Sequence, residues 1–296
     1  MIVVGVSEGL GNKMFHYAFG RYLMAKGLDV YYDVESYIPD PKLLHEHTSL
    51  TDAFPYIEIK KAPKGMFPLA YIKSSHRSLN RALIWFKRGI SLISTKKYII
   101  ERDFGYQKDI YKQCKDDCIC LGHWQSEKYF LEIRDEILRQ FKFLPFDEVE
   151  NIKLAARMAS ENSVAIHVRK GKDYWFDSHI CDANYYHKAI EYIRSKVSVP
   201  NLYVFTDNKD WVRNNFVGVK YTLVECNETT GNRSFRDMQL MTYAKHNIIA
   251  NSSYSWWGAW LNRNPRKIVI APETFFPSNK YYYSKSDVVC TDWISI

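Results

Sequence analysis

The sequence lacks long apolar runs, low-complexity stretches and any Asp-x-Asp pair. No segment of its 296 residues approaches the roughly 18 apolar residues that a membrane span needs. The start, Met1–Phe15, has no basic region followed by a long hydrophobic run, so we expect no signal peptide and a cytoplasmic protein. Runs of Gly and Ser or of Pro are also missing, so the composition gives no sign of disorder.

Cysteine is scarce and scattered. Of six cysteines only Cys114, Cys118 and Cys120 lie close together. A structural zinc site needs a further pair of ligands at suitable spacing, and none follows. We therefore expect reduced, structural cysteines and no metal site.

Positive charge is in excess. The chain has 41 Lys and Arg against 33 Asp and Glu, which gives a net charge of +8. Such a balance favours anionic partners, namely nucleic acid, phosphorylated substrates or an anionic membrane. Aromatic residues make up 16% of the chain, and their rings can either stack on sugars and bases or fill a core.

The segment Ile59–Ile100 contains ten Lys and Arg but no Asp or Glu. Within it, residues 77–93 form an amphipathic pattern, with apolar side chains at helical spacing and three arginines on the opposite face. The apolar positions are Leu79, Leu83, Phe86, Ile90 and Ile93. A helix resting on an anionic membrane surface and an ordinary helix packed on the core both agree with this pattern.

Short β-branched runs alternate with helical segments, which predicts an α/β fold with parallel sheets. The predicted strands are Ile2–Val6, Leu28–Tyr32, Cys118–Leu121, Val164–Val168, Leu202–Thr206, Ile248–Ala250 and Ile268–Ala271. The predicted helices are Lys13–Ala25, Glu127–Phe141, Glu148–Ser160, Asn184–Lys196, Arg236–Ala244 and Ser255–Leu261. The strands and helices form two such series, one in each half of the chain. This predicts two Rossmann-like domains, 1–147 and 148–296, with a hinge near Pro145.

The first polar segment, Gly9–Asn12, lies between the first predicted strand and helix. Glycines let backbone N–H groups approach a ligand, and the helix N-terminus adds partial positive charge. The pattern matches neither the dinucleotide fingerprint nor a Walker loop. Ligand contact through Gly9, Gly11 and Asn12 and a tight turn that requires glycine both remain open.

The second segment places polar residues directly after a buried strand. In open α/β sheets, ligands bind at the carboxyl ends of strands. The planar guanidinium of Arg169 suits a pyrophosphate, and His167 can hydrogen-bond a base or a phosphate. Asp173 is a candidate general base for a hydroxyl group. An ion pair between Arg169 and Asp173 is the structural alternative.

The third segment, Asn251–Gly258, follows a predicted strand and opens a predicted helix. Its hydroxyl groups can cap the helix or donate to a phosphate at its positive end. They belong to Ser252, Ser253 and Ser255. Trp256 and Trp257 are expected to pack rather than to stack on a ligand.

No Asp-x-Asp pair is present to hold a divalent ion against a diphosphate, as metal-dependent sugar-nucleotide transferases commonly do. The charge of a bound diphosphate would have to be met by Arg169, backbone N–H groups and helix termini. We therefore expect no metal and no other cofactor.

With these segments the chain resembles the bacterial α-1,2-fucosyltransferases. The matching pieces, in the family's order, are GLGNKMFHYAFGRYL, IHVRKGKDY, LYVFTDN and DMQLMTYAKHNIIANSSYSWWGAWLN. The resemblance implies a GT-B-like fold with two Rossmann-like domains facing a central cleft. It also implies inverting, metal-independent transfer of L-fucose from GDP-β-L-fucose to a sugar hydroxyl, O2 of a galactose in a surface or lipid-linked glycan.

Carried over residue by residue, the resemblance assigns Arg169 to the β-phosphate and to stabilising the departing GDP. His167 and Asp237 would lie at the guanine end. Asp207, at the end of a strand, would shape a turn near the donor.

Around the diphosphate, the resemblance implies Ser252 and Ser253 as ligands, with Ser255 in the same segment. Gly11 and Asn12 would bring the loop of the N-terminal, acceptor-side domain up to the donor held by the C-terminal domain.

The sequence departs from the family pattern at two places. Lys172 intervenes between Gly171 and Asp173, and Glu8 stands where the family has glycine. Glu8 is therefore a second candidate for the general base, after Asp173.

Two other function classes were weighed. A nucleotide-sugar or glycan-binding protein without turnover would not need three separate polar strand ends. Nucleic-acid binding would require aromatic residues interleaved with the basic stretch, or a zinc or helix-turn-helix pattern, and the sequence has none of these. We expect no nucleic-acid partner.

Overall fold

The computed structural model describes residues 1–34, 48–63, 97–101, 105–115, 117–171, 179–276 and 287–296. The predicted amphipathic segment 77–93 and Asp173 lie outside these residues. No helix in the described ranges combines the length and the apolar character needed to cross a membrane.

The first sheet is parallel and has the strand order β2-β1-β4-β3. Its strands are β1 (Ile2–Gly5), β2 (Val30–Asp33), β3 (Lys97–Ile100) and β4 (Cys118–Leu121). Val3, at its centre, lies opposite Tyr31 on one side and Ile119 on the other, and it is fully buried. Strands β1, β2 and β4 confirm the prediction, whereas β3 was not predicted.

The second sheet is also parallel, in the order β10-β9-β8-β5-β6-β7. Its strands are β5 (Ser163–Val168), β6 (Asn201–Thr206), β7 (Thr222–Leu223), β8 (His246–Ile248), β9 (Val269–Ala271) and β10 (Ile294–Ser295). Every residue of β5 is buried, as expected for a central parallel strand with both faces covered. The two-residue strands β7 and β10 were not predicted because so few residues show no periodicity.

The helices of the described residues surround the two sheets. They are α1 (Leu10–Ala25), α2 (Leu50–Ala53), α3 (Arg134–Gln140), α4 (Val149–Ser160), α5 (Ala183–Lys196), α6 (Lys209–Asn215), α7 (Arg236–Met241) and α8 (Ser253–Leu261). Helix α1 begins three residues earlier than predicted, so Gly11 and Asn12 lie in its first turn. Helices α2 and α6 were not predicted.

One predicted helix is wrong in type. The stretch Glu127–Phe141 forms two short 3₁₀ segments, Glu127–Tyr129 and Leu131–Ile133, before α3 begins. Phe130, Ile137 and Phe141 are nevertheless buried in the core. The spacing of the apolar residues therefore predicted correctly which side chains are buried, but it did not indicate a continuous α-helix.

Helix α8 packs its aromatic face into the core of the first sheet. Trp256 and Trp257 are fully buried, and the ring of Phe15 lies 4.6 Å and 4.9 Å from theirs. Trp257 Nε1 also donates to the carbonyl of Gly11 at 3.0 Å. The expectation that these tryptophans pack is confirmed, and the core of the first sheet includes a helix from beyond residue 147.

The predicted hinge is joined to α7. Arg236, only 5% exposed, donates to Asp147 at 2.6 Å and to Glu148 at 3.1 Å. Gln239 Nε2 donates to the carbonyl of Leu144 at 2.8 Å. The connection between the two sheets is thus hydrogen-bonded to the second half of the chain.

Candidate active site

The predicted site residues cluster at the carboxyl ends of the parallel strands. Ile166 of β5 lies opposite Ile248 of β8, so the chain leaves both strands at the same edge of the second sheet. Arg169 follows β5 there, and Ser252 follows β8. This is the edge where α/β sheets bind ligands.

The N-termini of α1 and α8 meet at Gly11. A Cβ atom at Gly11 would lie 2.5 Å from the carbonyl carbon of Ser253 and 2.6 Å from the nitrogen of Tyr254. Only a glycine permits this contact, which explains its presence without invoking backbone strain. Each helix N-terminus carries roughly half a positive charge, so two of them in contact favour an anion beside them.

The three serines of α8 are placed differently. Ser252 is the N-cap residue, yet its side chain makes no capping hydrogen bond. Ser253 is in the first turn, beside Gly11. The hydroxyl of Ser255 is buried and donates to the carbonyls of Ser252 and Ala250 at 3.3 Å and 3.4 Å. The structure therefore turns the Ser255 hydroxyl into the protein, where it donates to carbonyls and caps no N–H group, and does not bring it to the edge.

Arg169 forms an ion pair with Asp207 across the ends of β5 and β6. Its Nη1 lies 2.5 Å from Asp207 Oδ2, and Asp207 Oδ1 accepts from the backbone nitrogen of Lys170 at 2.7 Å. The Asp207 side chain is 12% exposed and that of Arg169 is 34% exposed. The alternative ion pair of Arg169 with Asp173 lies outside the described residues. Among those residues, Arg169 pairs with Asp207, which orients the guanidinium at the sheet edge.

Gly171 continues this arrangement. A Cβ atom there would lie 2.6 Å from Asp207 Oδ2, so a side chain at this position would push the carboxylate off the arginine. Asn208 Nδ2 also donates to the carbonyl of Lys170 at 3.1 Å. The loop after β5 is therefore held by the loop after β6.

His167 is buried beside this pair. Burial lowers the pKa of His167 to about 4, although the nearby Asp207 acts in the opposite direction. The imidazole is therefore neutral at physiological pH. Its Nδ1 has no hydrogen-bond partner among the described residues, and its ring lies 5.7 Å from that of Tyr254.

Asp237 lies in the first turn of α7, close to Tyr254. Its Oδ1 accepts from Asn227 Nδ2 at 2.8 Å. Burial raises the pKa of Asp237 to about 6, while that hydrogen bond and the charge of Lys209 lower it. The carboxylate is thus poised to ionise near neutrality and is stabilised by any donor or cation that binds it.

Tyr254 was not predicted as a site residue. Its hydroxyl donates to the carbonyl of Ser234 at 2.6 Å and accepts from the nitrogen of Met238 at 2.8 Å. It therefore joins the first turns of α7 and α8 beside His167. Its position within the third polar segment, next to Ser253, could have indicated this role.

A second polar cluster occupies the edge of the first sheet. Glu8 Oε2 accepts from Asn12 Nδ2 at 2.6 Å and lies 3.1 Å from His123 Nε2. Asn12 Oδ1 accepts from Gln125 Nε2 at 2.8 Å. Asn12 thus uses both ends of its amide inside the protein. His123 and Gln125 were missed, although they follow the predicted strand Cys118–Leu121 as the polar residues of the other segments follow theirs.

The remaining predicted residue, Gly9, is the N-cap of α1. A Cβ atom at Gly9 would meet no atom of the described residues within 4 Å, and its φ of −70° is open to any residue. Neither packing nor backbone conformation accounts for this glycine.

The three neighbouring cysteines converge in the core of the first sheet. The sulfur atoms of Cys114, Cys118 and Cys120 lie within 4.8 Å of one another. Cys114 and Cys120 are 3.7 Å apart, and all three residues are buried. The sequence had already grouped these three cysteines, and the fold brings Cys114 to the other two from the end of the 3₁₀ segment Ile110–Gln113 that precedes β4.

The chain is similar to known glycosyltransferases. A family model described as glycosyl transferase family 11 matches residues 70–296. Alpha-1,2-colitosyltransferase of Escherichia coli is 31% identical over 293 residues, which cover 93% of this chain and 92% of that protein. The O-antigen biosynthesis glycosyltransferase WbnK of Escherichia coli is 29% identical over 309 residues, with 98% and 99% covered.

Among solved structures, the chain is similar to NodZ alpha-1,6-fucosyltransferase soaked with GDP-fucose, with a TM-score of 0.51 and 14% identity. The match covers 94% of this chain and 96% of that chain. At this identity the likeness concerns the fold, and it confirms the predicted GT-B architecture. Together with the extent of the family match, these findings confirm the resemblance drawn from the motifs: the chain belongs to glycosyl transferase family 11.

Proposed function

We propose that this glycosyltransferase moves L-fucose from GDP-β-L-fucose to a sugar hydroxyl, O2 of a galactose, with inversion. The observation that carries the proposal is the meeting of the α1 and α8 N-termini at Gly11, at the sheet edge where Arg169 stands. Two positive helix ends and a guanidinium suit a diphosphate.

The diphosphate would lie between the two helix ends. The hydroxyls of Ser252 and Ser253 and the first-turn N–H groups of α8 are the donors, and the open position of Gly9 leaves room for the approach of a phosphate. Asp207 orients Arg169 toward this site. These fixed cationic groups do the work that a divalent ion does in metal-dependent transferases.

The guanine base would bind near His167, Tyr254 and Asp237. Guanine presents N1–H and an amino group, two donors that a carboxylate can accept together, and adenine lacks this pair. Asp237 is the matching acceptor, held by Asn227. The neutral His167, whose Nδ1 has no partner within the described ranges, supplies a further polar contact.

The reaction is a single in-line displacement, so a β-linked donor gives an α-linked product. Negative charge grows on the leaving diphosphate in the transition state. Arg169 and the helix ends stabilise that charge, and loss of one such preorganised donor typically costs 10²–10³-fold in kcat. No metal takes part in this scheme, so treatment with EDTA should leave the turnover unchanged.

A second donor has support from one relative. The protein of 31% identity is an alpha-1,2-colitosyltransferase, and colitose is fucose without its 3-hydroxyl. The guanine and diphosphate contacts proposed here would serve either sugar. The choice between them depends on how the site meets the 3-hydroxyl.

The test is to incubate the purified protein with GDP-fucose, GDP-colitose or GDP-mannose and a set of β-galactosides. We expect release of GDP and a new α-1,2-linked disaccharide with GDP-fucose. Faster transfer from GDP-colitose would make colitose the natural donor sugar.

Two results would contradict the proposal. Binding of GDP without transfer to any galactoside would leave only the alternative of a binding protein. A requirement for added Mg²⁺ or Mn²⁺ after EDTA would show that Arg169 and the helix ends do not suffice.

We further propose that the enzyme works at the cytoplasmic face of the inner membrane on lipid-linked glycans. The sequence pattern of residues 77–93 motivates this proposal.

A further inference from the structure

The edge of the first sheet carries backbone strain at two places. Glu8 has a φ of 71° and Trp124 a φ of 52°, values that side-chain-bearing residues rarely adopt. Such conformations persist where the surrounding structure enforces them, and they concentrate at functional sites. The two strained residues follow β1 and β4, which are adjacent strands.

Between these two positions, Glu8 and His123 form a carboxylate–imidazole pair. Their Oε2 and Nε2 atoms are 3.1 Å apart, and Asn12 donates to the same oxygen at 2.6 Å. The backbone nitrogen of His123 donates to Glu101 Oε2 at 2.6 Å, which anchors the loop after β4. The pair is therefore held by three separate elements.

The pair lies next to the proposed donor site. Asn12, which binds Glu8, is the neighbour of Gly11, where α1 meets α8. The His123 side chain is 37% exposed and that of Glu8 is 24% exposed, so the imidazole is the more accessible partner. An acceptor sugar on the first-sheet side of the junction would meet His123.

We propose that His123 is the general base of the transfer, with Glu8 as its positioning residue. The inference rests on the proposed transferase function. Glu8 accepts the Nε2–H of His123, so Nδ1 is the basic atom of the neutral ring. Because Glu8 Oε2 already accepts from both Asn12 and His123, its charge is stabilised and the imidazole is the better base near neutral pH.

The step conserves atoms and charge. The acceptor O–H bond breaks and its proton moves to His123 Nδ1. The acceptor oxygen forms a bond with the anomeric carbon while the bond from that carbon to the diphosphate oxygen breaks, and that electron pair leaves with GDP. Glu8 stabilises the imidazolium, which then returns its proton to water.

The decisive experiment measures both the transfer rate and the GDP affinity of the H123Q variant. We expect kcat/KM for the acceptor to fall by about 10²–10⁴-fold, the usual contribution of general-base catalysis. GDP affinity should stay within about twofold of wild type, because the proposed guanine and diphosphate contacts do not include His123. H187Q is the matched control, since Nε2 of that histidine donates to the backbone oxygen of Asn215 in the second half of the chain.

A second variant separates positioning from structure. In E8Q the carboxylate no longer stabilises the imidazolium, so the acid limb of the kcat/KM profile should move to lower pH and the rate should drop. Within the described ranges, the ionisable groups around His123 include Glu8, Glu101 at its backbone and His16, whose ring lies 6.3 Å away. H123A should regain activity with added imidazole.

The outcomes are distinct. Wild-type transfer by H123Q and E8Q over the whole pH range would overturn the proposed base while leaving the transferase function intact. A lower melting temperature and a weaker GDP affinity in H123Q, with no rescue of H123A by imidazole, would assign the pair a structural role. That result would also overturn the proposed base. A wild-type protein that transfers no fucose would instead contradict the proposed function.

Discussion

The two sheet edges that face each other differ in chemistry. At the edge of the second sheet, charge is fixed or suppressed: Arg169 is paired with Asp207, and burial keeps His167 neutral and shifts Asp237 toward protonation. At the edge of the first sheet, the side chains of Glu8, Asn12 and Gln125 are hydrogen-bonded to one another or to His123.

This difference indicates that the two sheet edges have different roles. In the proposed scheme, the second sheet holds the groups that recognise and neutralise a nucleotide diphosphate without moving protons. The first sheet holds the hydrogen-bonded pair that we propose transfers one. Among the described residues, α1 packs against α8 and so joins the two edges, and their alignment depends on that contact.

The R169A substitution tests the contrast between the two edges most strongly. We expect kcat to fall by about 10³-fold or more, since the main cation facing the leaving diphosphate is removed. R169K keeps the positive charge but loses the planar, bidentate guanidinium, so its kcat should lie between those of R169A and the wild type. The measurement is initial-rate kinetics with a melting curve for each variant.

R213A provides a control, because this exposed arginine pairs with Asp210 and Glu225 at the surface. Near-normal turnover in a folded R169A would refute the role of Arg169.

A second prediction concerns guanine recognition. D237N should lower GDP affinity by about 10- to 150-fold, the value of a hydrogen bond to a charged group. In the wild type, GDP affinity should decline as the pH falls through about 6, the pKa to which burial raises Asp237, because the protonated acid no longer accepts two bonds. Calorimetric titrations at several pH values would check both points.

The unliganded D237N protein should be more stable than wild type near neutral pH. The raised pKa means that ionising Asp237 costs stability at pH values above the ordinary value of 3.8. A lower melting temperature for D237N would contradict this account of the buried carboxylate.

A third prediction tests the junction between the edges with two glycines of one loop. G11A should destabilise the protein by about 1–3 kcal/mol, because the new Cβ would overlap the backbone of Ser253 and Tyr254. G9A should change stability by no more than about 0.5 kcal/mol, since its Cβ meets open space.

If the open space at Gly9 receives a phosphate, G9A will nevertheless weaken GDP binding. Chemical denaturation and GDP titration of both variants would measure these effects. Equal stability of the two variants would mean that α1 and α8 do not touch as described.

The smallest expected effect concerns the membrane. At low salt the protein should bind vesicles that contain anionic lipid, and this binding should weaken as salt is added. Replacing the three arginines of residues 77–93 by glutamine should remove the binding and leave transfer to a soluble galactoside unchanged. Equal recovery of wild type and variant with the vesicles would refute the proposal.

Much of the fold could be predicted because periodicity reports burial. The central strands β1, β5 and β6 are continuous apolar runs, and parallel sheets bury both faces. The same reasoning misjudged Glu127–Phe141, where inward-facing residues occur on short 3₁₀ turns. The spacing of apolar residues identifies which side chains are buried. It says less about the backbone conformation that places them there.

The site was predictable only in part. His167 is next to the last residue of β5, and Arg169 and Ser252 follow apolar strands, so their location at a sheet edge could be inferred from the chain alone. The partner of Arg169 could not, because Asp207 is 38 residues away and reaches it through the pairing of β5 with β6. The same holds for His123, which meets Glu8 because β4 lies beside β1.

By itself, the sequence determined the family, the alternation of strands and helices and the identity of the groups at the strand ends, since these depend on local spacing and residue type. Tertiary structure alone decided which of those groups touch: the pairing of Arg169 with Asp207, the turning of Ser255 into the interior and the contact of α1 with α8. These contacts join residues distant along the chain, so they depend on strand order and packing, which no local pattern encodes.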